Sequence, residues 1–139
     1  MPTVISVEEN EELVWMVIEE EVHRAMFSMK AYKSYGLDGY LLAFFQLFWE
    51  LIKMDLLRVA HDFFTNGKLI KQLNKNFIAL IPKVKDLEVL SDFRLIYICN
   101  TTYNIFSKKF VNRLKPLLQK FIGKTQNGFV LGWFFLDVL

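Results

Sequence analysis

Several features that assign a protein quickly to a functional class are scarce in this sequence of 139 residues. It has one cysteine, Cys99, which excludes an internal disulfide and a cysteine-based zinc site. Its longest uncharged stretch of high hydropathy, residues 40–49, is far shorter than the roughly 20 residues of a membrane-spanning helix. The first residues lack the basic and apolar pattern of a secretory leader. We therefore expect one domain, residues 1–139, in a reducing compartment and without a membrane partner.

What is abundant is apolar and aromatic surface. Hydrophobic residues make up 53% of the chain, charged residues make up 23%, and there are 14 phenylalanines. This balance is typical of a chain that folds. So many large aromatic side chains indicate either an extensive core or a surface that another molecule covers, because aromatic burial dominates the energetics of both.

The two halves of the chain carry opposite charge. Residues 1–66 have 5 Lys and Arg against 11 Asp and Glu, and residues 67–139 have 12 against 4, so that the whole chain has a net charge of +2. A basic second half is compatible with a partner that carries phosphates. Lysines on the solvated faces of ordinary helices explain the same count, and the charge alone leaves both interpretations open.

The first half of the sequence predicts two helices. Ser6 and Glu9 have the spacing of a capping box, and apolar residues recur at three- and four-residue steps through residues 14–29, as on one face of a helix. A loop at residues 36–39 separates this helix from a second one that ends at Gly67. The residues of the second helix that we expect in a core are Phe44, Phe48, Leu51, Leu56, Val59 and Phe63.

The second half predicts two strands and a third helix. The apolar runs 77–81 and 95–98 are typical of short buried strands, and a charged loop joins them. A helix begins near Thr101 or Thr102, and Pro116 predicts a kink or a break inside it. The fold class expected from this order is α+β, dominated by helices, with a small two-stranded sheet.

Six short segments, in this order and at this spacing, resemble the reverse transcriptase of plant LINE-type (non-LTR) retrotransposons. The segments are Lys33-Ser34-Tyr35-Gly36-Leu37-Asp38-Gly39-Tyr40, Phe48-Trp49, Leu80-Ile81-Pro82-Lys83, Ser91-Asp92-Phe93-Arg94-Leu95-Ile96-Tyr97-Ile98-Cys99-Asn100, Ser107-Lys108 with Asn112-Arg113-Leu114-Lys115-Pro116, and the residues Gln126, Phe129, Val130 and Gly132 with Asp137. The sequence departs from the family pattern as well. Tyr35, Leu37 and Leu95 stand where the family has proline, and Trp133 stands where it has a basic residue.

The resemblance implies a partial reverse-transcriptase domain, namely the fingers and the entry to the palm of an RNA-directed DNA polymerase. That enzyme uses two magnesium ions held by carboxylates, and the resemblance places those carboxylates beyond position 139. The six aspartates of the chain include no Asp-Asp or Asp-x-Asp pair. We therefore expect a truncated polymerase portion without a metal cofactor and without activity by itself.

Resemblance also supplies the candidate site residues. It implies that Lys83 and Arg94 lie on paired strands that approach the incoming nucleoside triphosphate, where Arg offers a planar fork and Lys a point charge. Solvated cations at the ends of strands are the alternative interpretation of both residues. With less support, the resemblance implies contacts from Lys108, Arg113 and Gln126 to the template backbone. The implied partners are an RNA or DNA template-primer and a nucleotide, in the nucleus or the cytoplasm.

Two classes of function remain open from the sequence. The first is the polymerase portion just described, and the second is a non-catalytic module that binds nucleic acid or a protein. We also expect self-association through exposed apolar surface, because the expected strands leave unpaired edges and the segment Trp133-Phe134-Phe135 adds apolar surface.

Overall fold

The computed structural model describes residues 5–33, 35–85 and 89–121. Within them the chain forms five α-helices and one antiparallel pair of strands, which confirms the predicted helix-dominated α+β class. The elements in chain order are α1 (Val7–Val14), α2 (Glu19–Phe27), α3 (Leu42–Leu47), α4 (Trp49–Asn66), β1 (Asn76–Pro82), β2 (Phe93–Cys99) and α5 (Thr101–Phe121). The predicted apolar segment Trp133-Phe134-Phe135 lies outside the described residues, and so does Gln126.

The capping box at the first helix is confirmed. The Ser6 hydroxyl accepts a hydrogen bond from the Glu9 backbone N–H at 3.2 Å, and the Ser6 N–H donates to the Glu9 carboxylate at 3.0 Å. The single helix predicted beyond it is wrong, because the chain leaves helical geometry at Trp15 (φ −56°, ψ 151°) and resumes it at Glu19. Of the predicted apolar face, Val22 and Ala25 are buried, whereas Val14 and Ile18 are exposed, and Val17 in the connection is buried instead.

The second predicted helix is also two. Phe48 (φ −101°, ψ 22°) ends α3 and begins α4, and the helix pair ends as predicted at Gly67, which adopts a left-handed conformation with φ 65°. The expected core face is only partly correct. Leu56 is buried, but Leu51 is 78% exposed, and Phe44 and Phe48 are exposed too. A change of direction at Phe48 rotates the buried face, and this places Trp49 in the core instead.

The core lies where α2, α4 and α5 meet. Its buried members are apolar side chains from these three helices, from α3 and from the connection before α2, namely Val17, Val22, Met26, Leu42, Trp49, Leu56, Ala60, Ile105 and Phe106. The rings of Phe63 and Phe64 surround Phe106 with centroid distances of 5.8 Å and 6.4 Å. These offset and edge contacts add to the stabilisation from area burial alone.

The two predicted strands are confirmed as an antiparallel ribbon, and we call β1 and β2 together the ribbon. The register runs from Asn76 opposite Cys99 to Pro82 opposite Phe93. The expectation of buried strands is wrong, because six of the seven residues of β1 are exposed. An apolar run in the sequence indicates that the strand gains stability when it is buried. It does not indicate whether another element is present to pack against the strand.

The helix α5 runs through Pro116, so the predicted alternative of a break is wrong, and the alternative of a kink stays a prediction. Proline removes one backbone donor and crowds the preceding turn. The helix continues because packing on both sides of this position holds it in place, with Ile105 and Phe106 buried before it and Leu117 buried after it. In the part of the chain that the structure describes, no helix has the length and apolar character needed to cross a lipid bilayer.

Candidate functional site

Lys83 and Arg94 lie together at the far end of the ribbon. Arg94 is directly opposite Ile81, and the pairing continues one step past Pro82, where the Lys83 N–H donates to the Asp92 carbonyl at 2.7 Å. Successive side chains of a strand alternate between its two faces, and opposed residues share a face. Positions 81, 83, 92 and 94 therefore belong to one face, and this face carries both cations.

The two cations differ in how far their donors are engaged. The Lys83 ammonium donates to the Ser91 carbonyl at 2.8 Å, and its side chain is exposed. Arg94 is exposed, and its side chain makes no hydrogen bond or ion pair with residues 5–33, 35–85 or 89–121. A guanidinium whose planar fork faces solvent can bind two oxygens of one phosphate, and an adjacent ammonium can bind a third.

A short turn orders the chain beside these cations. Leu90–Asp92 forms a 3₁₀ turn, in which the Val89 N–H donates to the Asp92 carboxylate at 3.0 Å and the Asp92 N–H donates back to the Val89 carbonyl at 3.0 Å. The first of these bonds is one half of a capping box, in which the third residue of the turn accepts from the backbone N–H before it, and the second bond closes the turn. Together they order the turn that supplies the Ser91 carbonyl, and through it the position of the Lys83 ammonium.

At the opposite end, the ribbon is joined to the helical body through Asn100, a buried residue directly after β2. The Asn100 side-chain oxygen accepts from the Asp38 N–H at 3.3 Å, and its amide nitrogen donates to the carbonyls of Gln72 and Leu73 at 3.4 Å and 3.3 Å. Asn100 thus links the loop before α3 to the connection before β1. Its three contacts fix the direction in which the ribbon leaves the body.

Gly36 makes this junction possible. A Cβ atom at Gly36 would lie 2.4 Å from the Asn100 side-chain oxygen and 2.5 Å from the Asn100 Cα, distances at which atoms overlap. The next residue, Thr101, donates from its hydroxyl to the Tyr40 carbonyl at 2.8 Å. Two of the six sequence segments, 33–40 and 91–100, therefore meet in space. The sequence resemblance named both segments but not their contact.

Arg113 has an intramolecular role that the sequence did not indicate. Its guanidinium donates twice to the Glu21 carboxylate, from Nε and Nη2 at 2.6 Å each, and it donates to the carbonyls of Leu13, Trp15 and Met16 at 3.0, 2.7 and 3.3 Å. These contacts engage all five of the N–H donors that an arginine has. The guanidinium joins α1, α2 and α5, and the predicted contact to a template backbone would have to displace these partners.

Lys109, one turn before Arg113, is a residue that the sequence interpretation missed. It is 1% exposed, its ammonium lies 3.9 Å from the Glu21 carboxylate and 3.9 Å from the centre of the Phe64 ring, and it has no hydrogen-bond partner among the described residues. Burial lowers the pKa of Lys109 to about 8, although the charge of Glu21 opposes this shift. The available signal was its spacing, four residues after Ile105 and three after Phe106, on the apolar stripe of α5.

Glu21 is the shared partner of both α5 cations. Burial by itself would raise the pKa of Glu21, but the hydrogen bonds from Arg113 and the nearby charge of Lys109 together lower it. Glu21 therefore stays ionised at neutral pH. It lies on α2, where it is half-buried and faces the two cations of α5.

The remaining predicted residues do not join the ribbon site. Lys108 is half-buried on α5, and its side chain makes no hydrogen bond or ion pair with the part of the chain that the structure describes. Gln126 is outside those residues. Within them no three His, Cys, Asp or Glu side chains come close enough to hold a metal ion. The site, as far as it is described, therefore consists of two exposed cations, Lys83 and Arg94, at the end of the ribbon.

Comparison with known proteins relates the chain to mobile elements. It is 33% identical over 129 residues to the Transposon TX1 uncharacterized 149 kDa protein of Xenopus laevis, an alignment that covers 93% of this chain and 10% of that protein. The chain thus spans about a tenth of the length of this relative. No family model matches the chain. The similarity supports a protein related to non-LTR, LINE-type retrotransposons, and the plant origin remains a prediction.

Proposed function

We propose that the chain is the fingers portion of a LINE-type RNA-directed DNA polymerase, and that the ribbon contacts the phosphates of a nucleotide or of a template-primer. The observation that carries the proposal is the placement of Lys83 and Arg94 on one face at the ribbon end, both exposed. The similarity to a transposon protein over 93% of the chain supports the class. In this proposal the polymerase reaction requires magnesium ligands other than those of the described residues.

The ribbon suits such a contact because it is anchored at one end only. Asn100 and Thr101 fix its base through hydrogen bonds to residues 38, 40, 72 and 73. The cations lie at the opposite end of the register, beyond the Ile81–Arg94 pair. A hydrogen-bonded strand pair transmits this anchoring along its length, so the two charges are held at a defined distance from the body.

The same exposed cations favour a second candidate, a nucleic-acid-binding module without chemistry. In that case the ribbon contacts only the sugar-phosphate backbone, and affinity depends on counterion release. The two candidates differ in the ligand that fills the cation pair. A nucleoside triphosphate with magnesium competes for the pair in the first candidate, whereas only a polyanion of several phosphates competes in the second.

The experiment measures the binding of a fluorescently labelled single-stranded oligonucleotide by anisotropy over a range of salt concentrations. The variant is Lys83→Gln with Arg94→Gln, and the control is Lys68→Gln with Lys71→Gln, which removes two exposed cations from the connection before β1. We expect the slope of log affinity against log salt to fall by about two in the variant, since each lost phosphate contact contributes about one. The control is expected to change the slope much less.

A deoxynucleoside triphosphate with magnesium, added as competitor, then separates the two candidates. Displacement that the ribbon variant abolishes supports the nucleotide site, and displacement only by a longer polyanion supports the binding module. Equal salt slopes in the ribbon variant and the control would contradict both.

DNA synthesis by the chain alone is not expected with magnesium or manganese. The six aspartates include no adjacent or alternate pair, and the reaction requires carboxylates that hold two metal ions close together. The measurement is template-directed incorporation of labelled nucleotide on primed RNA and primed DNA. Incorporation above that of a mock preparation would sink this part of the proposal.

A further inference from the structure

We propose that α1 is a releasable acidic strap, which covers two cations of a row on α5, Arg113 and Lys120, and limits their access to phosphates. The row consists of Lys109, Arg113 and Lys120, and we call it the α5 cation row. The effect on phosphate binding depends on the proposed nucleic-acid contact, whereas the release of the strap does not.

The spacing of the α5 cation row places its three members on one side of the helix. Residues separated by four and by eleven positions lie within about 40° of each other around a helix with 3.6 residues per turn. A row of cations along one face is a surface to which a phosphate backbone can bind through successive contacts. In this structure each member of the row faces a carboxylate of the acidic first half of the chain.

Two carboxylates match the three cations. Glu21 on α2 lies 2.6 Å from Arg113 and 3.9 Å from Lys109, and Glu9 on α1 pairs with Lys120. The hydrogen bond from Lys120 lowers the pKa of Glu9, and the Ser6 N–H acts in the same direction. Glu9 on α1 and Glu21 on α2 thus lie at positions that the phosphates of a nucleic-acid backbone would take along the row.

The attachment of α1 is polar rather than apolar. None of its residues is buried, whereas α2 buries Val22, Ala25 and Met26. The apolar side chains of Val7 and Val14 are 71% and 75% exposed, so they contribute little to holding the helix on the body. The specific contacts that hold it are the Glu9–Lys120 pair near its beginning and the Arg113 hydrogen bonds to the Leu13 and Trp15 carbonyls near its end.

Contacts of this kind can be replaced by competing anions. Exposed ion pairs contribute at most about 1 kcal/mol each and weaken as salt rises. The strap carries four carboxylates, at positions 8, 9, 11 and 12, and no cation. A nucleic acid offers the α5 cation row anionic phosphate oxygens at higher charge density, which is why release of α1 and binding of a polyanion are linked.

The test uses Glu9→Gln, which removes the ion pair with Lys120 while glutamine still fits the capping box with Ser6. Glu11→Gln is the matched control, since it makes the same charge change on the same helix at an exposed residue without an ion pair among the described residues. Lys120→Gln removes the same pair from the other side. Hydrogen–deuterium exchange of residues 5–16 is measured without nucleic acid, and oligonucleotide affinity is measured separately.

We expect exchange in residues 5–16 to be roughly two- to fivefold faster in Glu9→Gln and in Lys120→Gln than in the original chain, the range for loss of one partly exposed pair. Glu11→Gln should leave it unchanged. Oligonucleotide affinity should rise about twofold more in Glu9→Gln than in Glu11→Gln.

Equal exchange in the Glu9 and Glu11 variants overturns the strap. Faster exchange without a gain in affinity over the control overturns its effect on binding. If no variant and not even the original chain binds the oligonucleotide, the proposed function fails, and the exchange measurement alone decides whether α1 is a strap.

Discussion

The ribbon and the helical body contain equally apolar sequence but differ in how it is covered. Phe106 in α5 is buried between the rings of Phe63 and Phe64, whereas Ile78 and Tyr97 in the ribbon are 55% and 62% exposed. The difference lies in the facing elements, because the rings of α4 pack against Phe106, whereas among the described residues the main packing partner of each strand is the other strand. Apolar sequence therefore predicts a tendency to be buried, and the topology of the described chain decides whether that tendency is met.

The cations of the two regions show the same contrast. Arg113 and Lys109 are held against Glu21 inside the body, while Lys83 and Arg94 lie exposed at the end of the ribbon. Part of the basic charge of the second half is thus neutralised by the acidic first half. The opposite charges of the two halves therefore partly reflect ion pairs between the halves. Only the cations outside those ion pairs are available to a phosphate-bearing partner in this structure.

The largest expected effect separates body from ribbon through stability. Phe106→Ala removes a ring packed on two others, and the expected loss is about 3–5 kcal/mol of unfolding free energy. Tyr97→Ala in the ribbon, at an exposed position, should cost under about 1 kcal/mol. Urea unfolding followed by circular dichroism measures both. Losses of equal size would mean that the ribbon is packed as tightly as the core.

The next largest loss of stability is expected when Arg113 loses its contacts with Glu21 and with three backbone carbonyls. Arg113→Met leaves the half-buried Glu21 without its principal hydrogen-bond donor and frees three backbone carbonyls, and we expect a loss of about 2–4 kcal/mol. Arg58→Met is the control, because Arg58 forms only an exposed pair with Asp55, and such pairs contribute about 0–1 kcal/mol. The same urea titration compares them. A cost for Arg113→Met no greater than that of the control would contradict the clamp between α1, α2 and α5.

A smaller effect of opposite sign is expected at Lys109. Lys109→Met replaces a buried ammonium that lacks a hydrogen-bond partner among the described residues, and we expect the variant to be unchanged or more stable by up to about 2 kcal/mol. Thermal unfolding at neutral pH measures this. A marked loss of stability would show that the pairing of Lys109 with Glu21 outweighs its desolvation.

The pH dependence gives an independent check on the same residue. The pKa of Lys109 is about 8 in the folded chain, below its ordinary value of 10.5, so between these values the unfolded chain binds more protons than the folded one. Stability contributed through Lys109 therefore rises as the pH increases from about 8 towards 10.5. The difference in unfolding free energy between Lys109→Met and the original chain should shrink over this interval. A difference that is constant with pH would contradict the lowered pKa.

The sequence predicted the local features well, because each depends on a few neighbouring residues. The capping box at Ser6 and Glu9, the helix end at Gly67 and the two strands are of this kind. It failed where distant packing decides. The breaks at Trp15 and Phe48 and the continuity of α5 through Pro116 depend on what each helix packs against.

The candidate site shows the same division. The resemblance identified Lys83 and Arg94, and the strand register now places them on one face. It could not separate them from Arg113, which has the same chemistry in sequence but has all its donors engaged by residues about 100 positions earlier in the chain. The resemblance did not indicate Lys109 either, because a lysine on the apolar stripe of a helix is usually exposed. The contact with Glu21 distinguishes Lys109 and Arg113, which lie in the body, from Lys83 and Arg94, which are exposed on the ribbon.

The central claim is that the ribbon end contacts the phosphates and that the body supports the ribbon. The effect expected for this claim, a change in the reactivity of Lys83, is the smallest of the expected effects. The most direct test is amine-reactive footprinting of the original chain with and without a single-stranded oligonucleotide at low salt, read out residue by residue by mass spectrometry. We predict that the reactivity of Lys83 falls severalfold on binding, while Lys30 and Lys68, which are equally exposed, keep theirs. Uniform protection of all three lysines, or protection of Lys30 and Lys68 without Lys83, would contradict the claim.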